Sequence, residues 1–408
     1  MARVFRFSSS FRTEPLNVTL SRARTVAKQV GISRVTDITR LDFIGVPVFA
    51  SIRPEAQPGS LCVNAGKGLS QAEARVGAYM EAIEYAFAEY NRASLEVSIV
   101  RARDVYEGRT RPEAILDFCP VMGAEVDLDG PIACVEATDI SSDEKFLIPA
   151  ELIFLPFPPD LGGNCYFGSS SNGLCSGNSV LEATVHGLAE VIERDICSFQ
   201  AIEDQSLLVP NSSLPSAIRE IHSTLTAVGM NLYVRYVENV FEVPYFMAVV
   251  AEPKTDNPIY ISVGYGCHLS GRIALTRAVC EALQSRLSFI HGGRDDLVAR
   301  YERFEGWTHQ ARTAYAEKLL AQVSRNGSSI QFDSIHAGSD VATDLESAQE
   351  ALLAALARNG FRHVLRVIYT PEKFPLQVVR IQVPGLECFN ETTARIGFRL
   401  RNYVREQI

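Results

Sequence analysis

The 408-residue chain lacks the marks of several large protein classes. No apolar run approaches the ~20 residues a helix needs to cross a bilayer, so no membrane is expected as a partner. The first residues, MARVFRFSSSFRTEPLN, hold no apolar signal-peptide core, and the expected location is cytoplasmic. Nine cysteines are present, an odd number, yet none forms a C-x-x-C pair and no Cys/His run has zinc-ligand spacing. A structural zinc site is therefore not expected, and reduced thiols are. Positive charge is in deficit: 39 Lys and Arg stand against 48 Asp and Glu, for a net charge of −9. That balance argues against non-specific binding to nucleic acid or acidic lipid. No Pro/Gly/Ser-rich linker separates independent halves, so a single composite domain over residues 1–408 is expected.

What is present is a soluble composition, 47% hydrophobic and 21% charged, enough for a sizeable core. The organising stretch is Ser169–Gln200, SSSNGLCSGNSVLEATVHGLAEVIERDICSFQ. A Gly/Ser/Asn-rich turn opens it and a helix follows. Ser179 is a fitting N-cap, and Glu182 lies three residues on, as a capping box requires. Glu182, His186, Glu190 and Glu193 fall at i, i+4, i+8 and i+11, within about 80° of one another on a helix. One acidic stripe is most simply a solvated face. This one has counterparts. Subtracting 109 from Ser179, Glu182, Ala183, Glu190 and Glu193 gives Ser70, Glu73, Ala74, Glu81 and Glu84. Adding 91 gives Ser270, Ala274, Glu281 and Gln284, the last acid now an amide. The spacing is too long and uneven for a solenoid. The fold class expected is α+β: mixed sheets with helices, in which three similar Gly/Ser-turn-to-helix units surround one site.

Carboxylates gathered this way repel one another unless a cation lies among them. Paired hard oxygens suit Mg²⁺, which commonly takes one or two carboxylates plus substrate phosphates. The turns Asn64-Ala65-Gly66-Lys67-Gly68 and Ser171–Gly177 can present backbone N–H groups to an anion at a helix N-terminus. Lys67, Arg194 and Arg286 can supply positive charge to phosphate oxygens. Together these point to a nucleotide. Neither turn has the P-loop spacing, and no G-x-G-x-x-G follows a strand.

AGKGLSQAEARVGAYMEAIEY, SNGLCSGNSVLEATVHGLAEVIERD and RAVCEALQSRL resemble the three signature segments of the YcaO family, and the likeness runs from about Arg12 to beyond Arg380. The run Glu190-x-x-Glu193-Arg194-Asp195 is its most specific part. The resemblance implies ATP and Mg²⁺ as cofactors, and activation of a peptide backbone amide by phosphorylating its oxygen after a nucleophile has added. It implies Glu81, Glu84, Glu190 and Glu193 as metal ligands. Arg12, Thr19, Lys67, Asn178, Glu182, Arg194, Gln284 and Arg286 are the expected nucleotide contacts; no catalytic base is assigned. Two positions depart from the family pattern. Tyr85 follows Glu84 where the family has Arg, and the chain ends FNETTARIGFRLRNYVREQI without alternating prolines. The second departure leads the expectation away from azoline formation and towards an external nucleophile, a sulfide equivalent, as in standalone members that work with a TfuA partner. The partners expected are a peptide or protein substrate and a TfuA-like protein; a homodimer is admissible.

Elsewhere the patterns are structural. Residues 14–31 predict a helix, 32–52 strands, 95–101 a strand, and 127–154 a hairpin with its turn near Asp139–Asp143. Phe157–Gly163 is read as a loop and 292–330, with the lone Trp307, as a charged helical layer. An alanine-rich helix over 348–359 ends at Gly360 before two strands, HVLRVIYT and LQVVRIQV. His186 reads as an ion-paired spacer rather than a base, and Cys175 and Cys197 as small buried hydrophobes. No G-x-S-x-G elbow surrounds Ser169–Ser171.

Overall fold

The three look-alike segments each fold as a strand that leads directly into a helix. Strand β1 (Val63–Lys67) precedes helix α1 (Gln71–Ala88). Strand β2 (Leu174–Gly177) precedes α2 (Val180–Ile202), and β3 (Ser262–Cys267) precedes α3 (Gly271–His291). The computed structural model describes residues 4–108, 110–252, 255–325, 327–336, 342–390 and 393–407.

Glycine sets how closely helix meets strand. A Cβ placed on Gly66 of β1 would lie 2.0 Å from the Ala78 nitrogen and 2.2 Å from the Ala74 oxygen. Two hundred residues on, a Cβ on Gly266 of β3 would lie 2.1 Å from the Ala274 oxygen and 2.7 Å from the Ala278 nitrogen. The helix backbone rests on the strand backbone at the same register in both, so any side chain would push them apart. In the second copy Cys175 stands at that register; Gly177 there matches Gly68, and a Cβ on it would meet the Ala183 nitrogen at 2.7 Å.

Two compact units result. One comprises 1–55, 61–82 and 205–344; the other comprises 56–60, 83–204 and 345–408. In the first, β1 pairs with Val48–Ile52, which pairs with Arg34–Asp37. A separate four-stranded antiparallel sheet runs Leu207–Leu208, Asn231–Tyr236, Tyr245–Ala251, β3. Its core gathers Leu232, Val234, Phe246, Ala248, Ala274, Ala278, Ala282 and Phe332, so α3 lies on that sheet through its alanine face. In the second unit a six-stranded sheet joins Ser98–Arg101, Pro131–Asp139, Leu365–Ile368, Gln377–Gln382 and β2, with Lys145–Pro149 paired to Pro131–Asp139. Its pairs are antiparallel too. The mixed helices and sheets bear out the α+β expectation.

The local signals hold where a turn or a cap carries them. Helix Leu16–Gln29 lies within the predicted 14–31, and Leu345–Arg358 is followed by Gly360 at φ +83°. The hairpin turns through Asp143 at φ +59°. Asp139 does more than turn the chain: it accepts from the Ser141 and Val364 amides and the Ser142 hydroxyl, and contacts His363 at 3.0 Å. The strand expected over 95–101 begins only at Ser98. The terminal helix Phe398–Gln407 was not expected; with Leu400 as its buried residue, FRLRNYVREQ has almost no apolar stripe to reveal it. The charged layer contains helix His309–Ser324, which buries Ala316, Leu320 and Val323. Trp307 packs edge-on against Phe304 beside it.

Candidate nucleotide site

Four of the motif acids, Glu81, Glu84, Glu190 and Glu281, are positioned by a strand that precedes a motif helix. In the first unit Glu81 Oε2 accepts the Ala65 N–H at 3.3 Å, and at the matching register Glu281 Oε1 accepts the Tyr265 N–H at 3.3 Å. The first and third segments are also joined. Lys67 Nζ reaches Glu281 Oε2 at 2.9 Å, and Gln284 Nε2 donates to the Ala65 carbonyl at 2.6 Å. Arg294, which sequence reasoning missed, approaches Glu81 at 3.5 Å and bonds Asp296 at 2.8 Å. Burial pushes the Glu81 carboxyl up from its ordinary value, even though Arg294 and Lys67 pull it down. Arg286 is held by the buried Asp42 at 2.8 Å, so its guanidinium is already engaged within the protein.

Arg12 donates to Ser10 Oγ at 3.0 Å, and the buried Thr19 sits in the first turn of its helix with its hydroxyl 3.4 Å from the Pro15 carbonyl. Burial, aided by Arg277, Arg12 and Arg6, drives the His268 pKa down to about 3. The ring is therefore neutral, and its Nδ1 accepts the Ser270 N–H at 2.9 Å. Glu73 accepts from the hydroxyls of Ser8, Ser9 and Ser70.

In the second unit Ser176 gives Glu84 Oε1 both its N–H, at 2.8 Å, and its hydroxyl, at 2.6 Å. Cys175 Sγ donates to Glu190 Oε2 at 3.3 Å; the thiol is buried, as its small-hydrophobe reading requires. Glu193 is 3% exposed and has Arg194 at 3.5 Å. Ser179 caps α2 by accepting the Glu182 N–H. The Glu182 carboxylate reaches past the cap to Asn178, taking its backbone N–H at 3.2 Å and its side-chain amide at 3.1 Å. That departs from the expected box, in which the acid returns to the cap residue. Asp195 accepts the Glu387 N–H at 2.7 Å and pairs with Arg399; burial raises its pKa to about 6. Glu151, which no motif marked, binds the Tyr166, Phe167 and Gly168 amides.

Within each unit, carboxylates beside basic side chains, Glu81 with Arg294 and Glu193 with Arg194, are the kind of donors that Mg²⁺ takes with phosphate oxygens. Among the described residues no three His, Cys, Asp or Glu converge as a cage. Mg²⁺ seldom uses such a cage and takes one or two carboxylates with phosphate oxygens. The Glu81 carboxyl is held above its ordinary value chiefly by desolvation, and a cation placed beside it would favour its charged form.

The family model described as YcaO cyclodehydratase, ATP- and Mg²⁺-binding, matches residues 65–387, and the chain belongs to that family. ATP and Mg²⁺ are its cofactors. An uncharacterised protein of Methanothermobacter thermautotrophicus is 32% identical over 387 residues, which cover 92% of this chain and 94% of the relative. An uncharacterised protein in the tfuA 3′ region of Rhizobium leguminosarum bv. trifolii is 29% identical, over 95% of this chain and 91% of its own. YcaO from Methanopyrus kandleri, solved bound with AMPPCP and Mg²⁺, superposes with a TM-score of 0.77 at 22% identity, covering 98% of both chains. No helix among the described residues is long and apolar enough to cross a membrane.

Proposed function

We propose that this chain is an ATP- and Mg²⁺-dependent enzyme that activates a peptide backbone amide by O-phosphorylation, and that it forms a thioamide with a TfuA-type partner. The observation that carries the reading is the family match over 65–387, which spans all three acid-bearing helices. The relative in the tfuA 3′ region supports the choice of partner. In this reading the chain works as one catalytic domain. Glu81, Glu84, Glu190 and Glu193 hold the metal. Arg12, Thr19, Lys67, Asn178, Glu182, Arg194, Gln284 and Arg286 contact the nucleotide.

Bound ATP supplies a phosphoryl group that turns the amide oxygen into a leaving group. The protein's own work is orientation. Ser176 fixes Glu84 through two hydrogen bonds, and Cys175 fixes one oxygen of Glu190. Lys67 is placed by Glu281, and a negative phosphate oxygen can compete for it. Sulfide adds to the amide carbon before the phosphoryl transfer; the phosphorylated oxygen then leaves as phosphate, and loss of the S–H proton leaves the thioamide.

The rival is azoline formation from Cys, Ser or Thr, which the family description itself names through cyclodehydration. Incubation with ATP, Mg²⁺, sulfide, the TfuA-like protein and candidate peptides, followed by intact mass, separates them. Exchange of one oxygen for sulfur is the expected result; loss of water would establish the rival instead. ATP consumption that ignores every peptide would overturn both and leave a nucleotide-binding accessory role.

A further inference from the structure

Arg294 stands beside a motif acid without belonging to any of the three motifs. Helix α3 ends in a glycine cap: Gly292, at φ +68°, is left-handed and turns the chain. The short helical turn Asp295–Leu297 follows Arg294 at once. Its first acid fastens it beside β1, because Asp295 Oδ2 accepts the Cys62 N–H at 3.2 Å and the Cys62 thiol at 2.9 Å. Its second acid grips the arginine. Asp296 takes Arg294 Nε at 3.0 Å and Nη2 at 2.8 Å, two parallel bonds of the kind a guanidinium makes best. Arg294 Nη1 then lies 3.5 Å from Glu81 Oε1. Both oxygens of Glu81 are thereby engaged, since Oε2 accepts the Ala65 N–H at 3.3 Å. The two holds on Arg294 are unequal: the Asp296 bonds are short and paired, and the Glu81 contact is long and single.

We propose that Arg294 and Mg²⁺ exchange places at Glu81: the guanidinium gives up the carboxylate when the ion arrives and turns to a phosphate oxygen of the nucleotide, while Asp296 keeps it seated. The proposal rests on the reading of Glu81 as a metal ligand. A divalent ion and a guanidinium at one carboxylate oxygen are like charges at close range, so they exclude each other there. The triphosphate that comes with the ion presents acceptor oxygens that suit the guanidinium fork. Without the ion, the same turn would strip a partly buried carboxylate of its counter-charge, and that opposes the move. Arg294 therefore contacts the nucleotide only when the metal is present. The long Glu81 contact is the one that yields, and the paired Asp296 bonds are the pivot.

The test is the affinity of the full chain for AMPPCP, measured by calorimetry with Mg²⁺ and by the nucleotide-induced rise in melting midpoint both with Mg²⁺ and in EDTA. With Mg²⁺, Arg294→Gln should bind about tenfold more weakly than the wild type, the loss of one charge-assisted hydrogen bond. In EDTA the two proteins should respond alike. Cys62 reports whether the turn survives the substitution, because Asp295 holds its thiol: its alkylation rate in the variant should match the wild type. Should that rate rise, Arg294→Lys replaces it, keeping the charge and losing the fork; a smaller loss of affinity is expected, again with Mg²⁺ alone. Unchanged affinity with Mg²⁺, or a loss as large in EDTA, would overturn the exchange. A wild type that takes up no AMPPCP with Mg²⁺ would overturn the nucleotide site on which the exchange rests.

Discussion

At the scale of single residues, two glycines at one register are tightly constrained. Gly66 and Gly266 meet helix backbone where any Cβ would stand, and backbone cannot move aside as a flexible side chain can. Gly66→Ala should cost about 3 kcal/mol or more, at the upper end of overpacking penalties, read as a lowered midpoint in thermal unfolding. Gly327→Ala, at a position with open space around it, should leave the midpoint unchanged. His268 makes a second residue-scale prediction. Its folded pKa is pushed from 6.5 down to about 3, so below pH 6.5 the unfolded chain binds a proton that the folded chain refuses. Stability is then full above pH 6.5 and lost as pH falls, at about 1.4 kcal/mol per unit. Against His268→Gln, the wild type should lose on the order of 3 kcal/mol by about pH 4.5. Parallel melting curves of the two proteins across that range would refute the depressed pKa.

At the scale of elements, the strand-to-helix unit is what the sequence made legible. Serine, alanine and acid recur at fixed offsets because the same backbone seat recurs, and the Ala65–Glu81 and Tyr265–Glu281 hydrogen bonds repeat at one register. What closes the unit was hidden. Asp42 and Arg286 are 244 residues apart, and Lys67 and Glu281 are 214 apart; no periodicity links such pairs. Glu281 was visible as the third copy's acid, but nothing in the sequence said that it would hold Lys67. Asn178 drew Glu182 off the cap because its amide offers a second donor beside its N–H. The unit also carries the functional prediction. Glu84→Gln keeps the Ser176 hydrogen bonds and loses a charge, so it should fold normally, with Mg²⁺-dependent ATP consumption reduced about 10²-fold, the loss typical of a removed charge-stabilising group. Glu193→Ala should reduce peptide-stimulated consumption at least as much; near-normal modification of peptide by that variant would sink the metal assignment.

At the scale of the whole molecule, neither unit is a continuous stretch of chain. The path passes from one to the other after residues 55, 60, 82, 204 and 344, and the passage after 82 falls inside α1. That threading was not readable from the sequence, whose even composition shows no linker. A fragment 1–204 contains β1 without the 205–344 part of its unit, and β2 without the strands 365–368 and 377–382 of its sheet. Expressed alone, it should show no cooperative thermal transition by circular dichroism. A helix that belongs to two territories has a practical meaning for anyone redesigning this protein. A single cut anywhere in the sequence divides one unit or the other, so new specificities are better sought by changing surface loops than by exchanging halves.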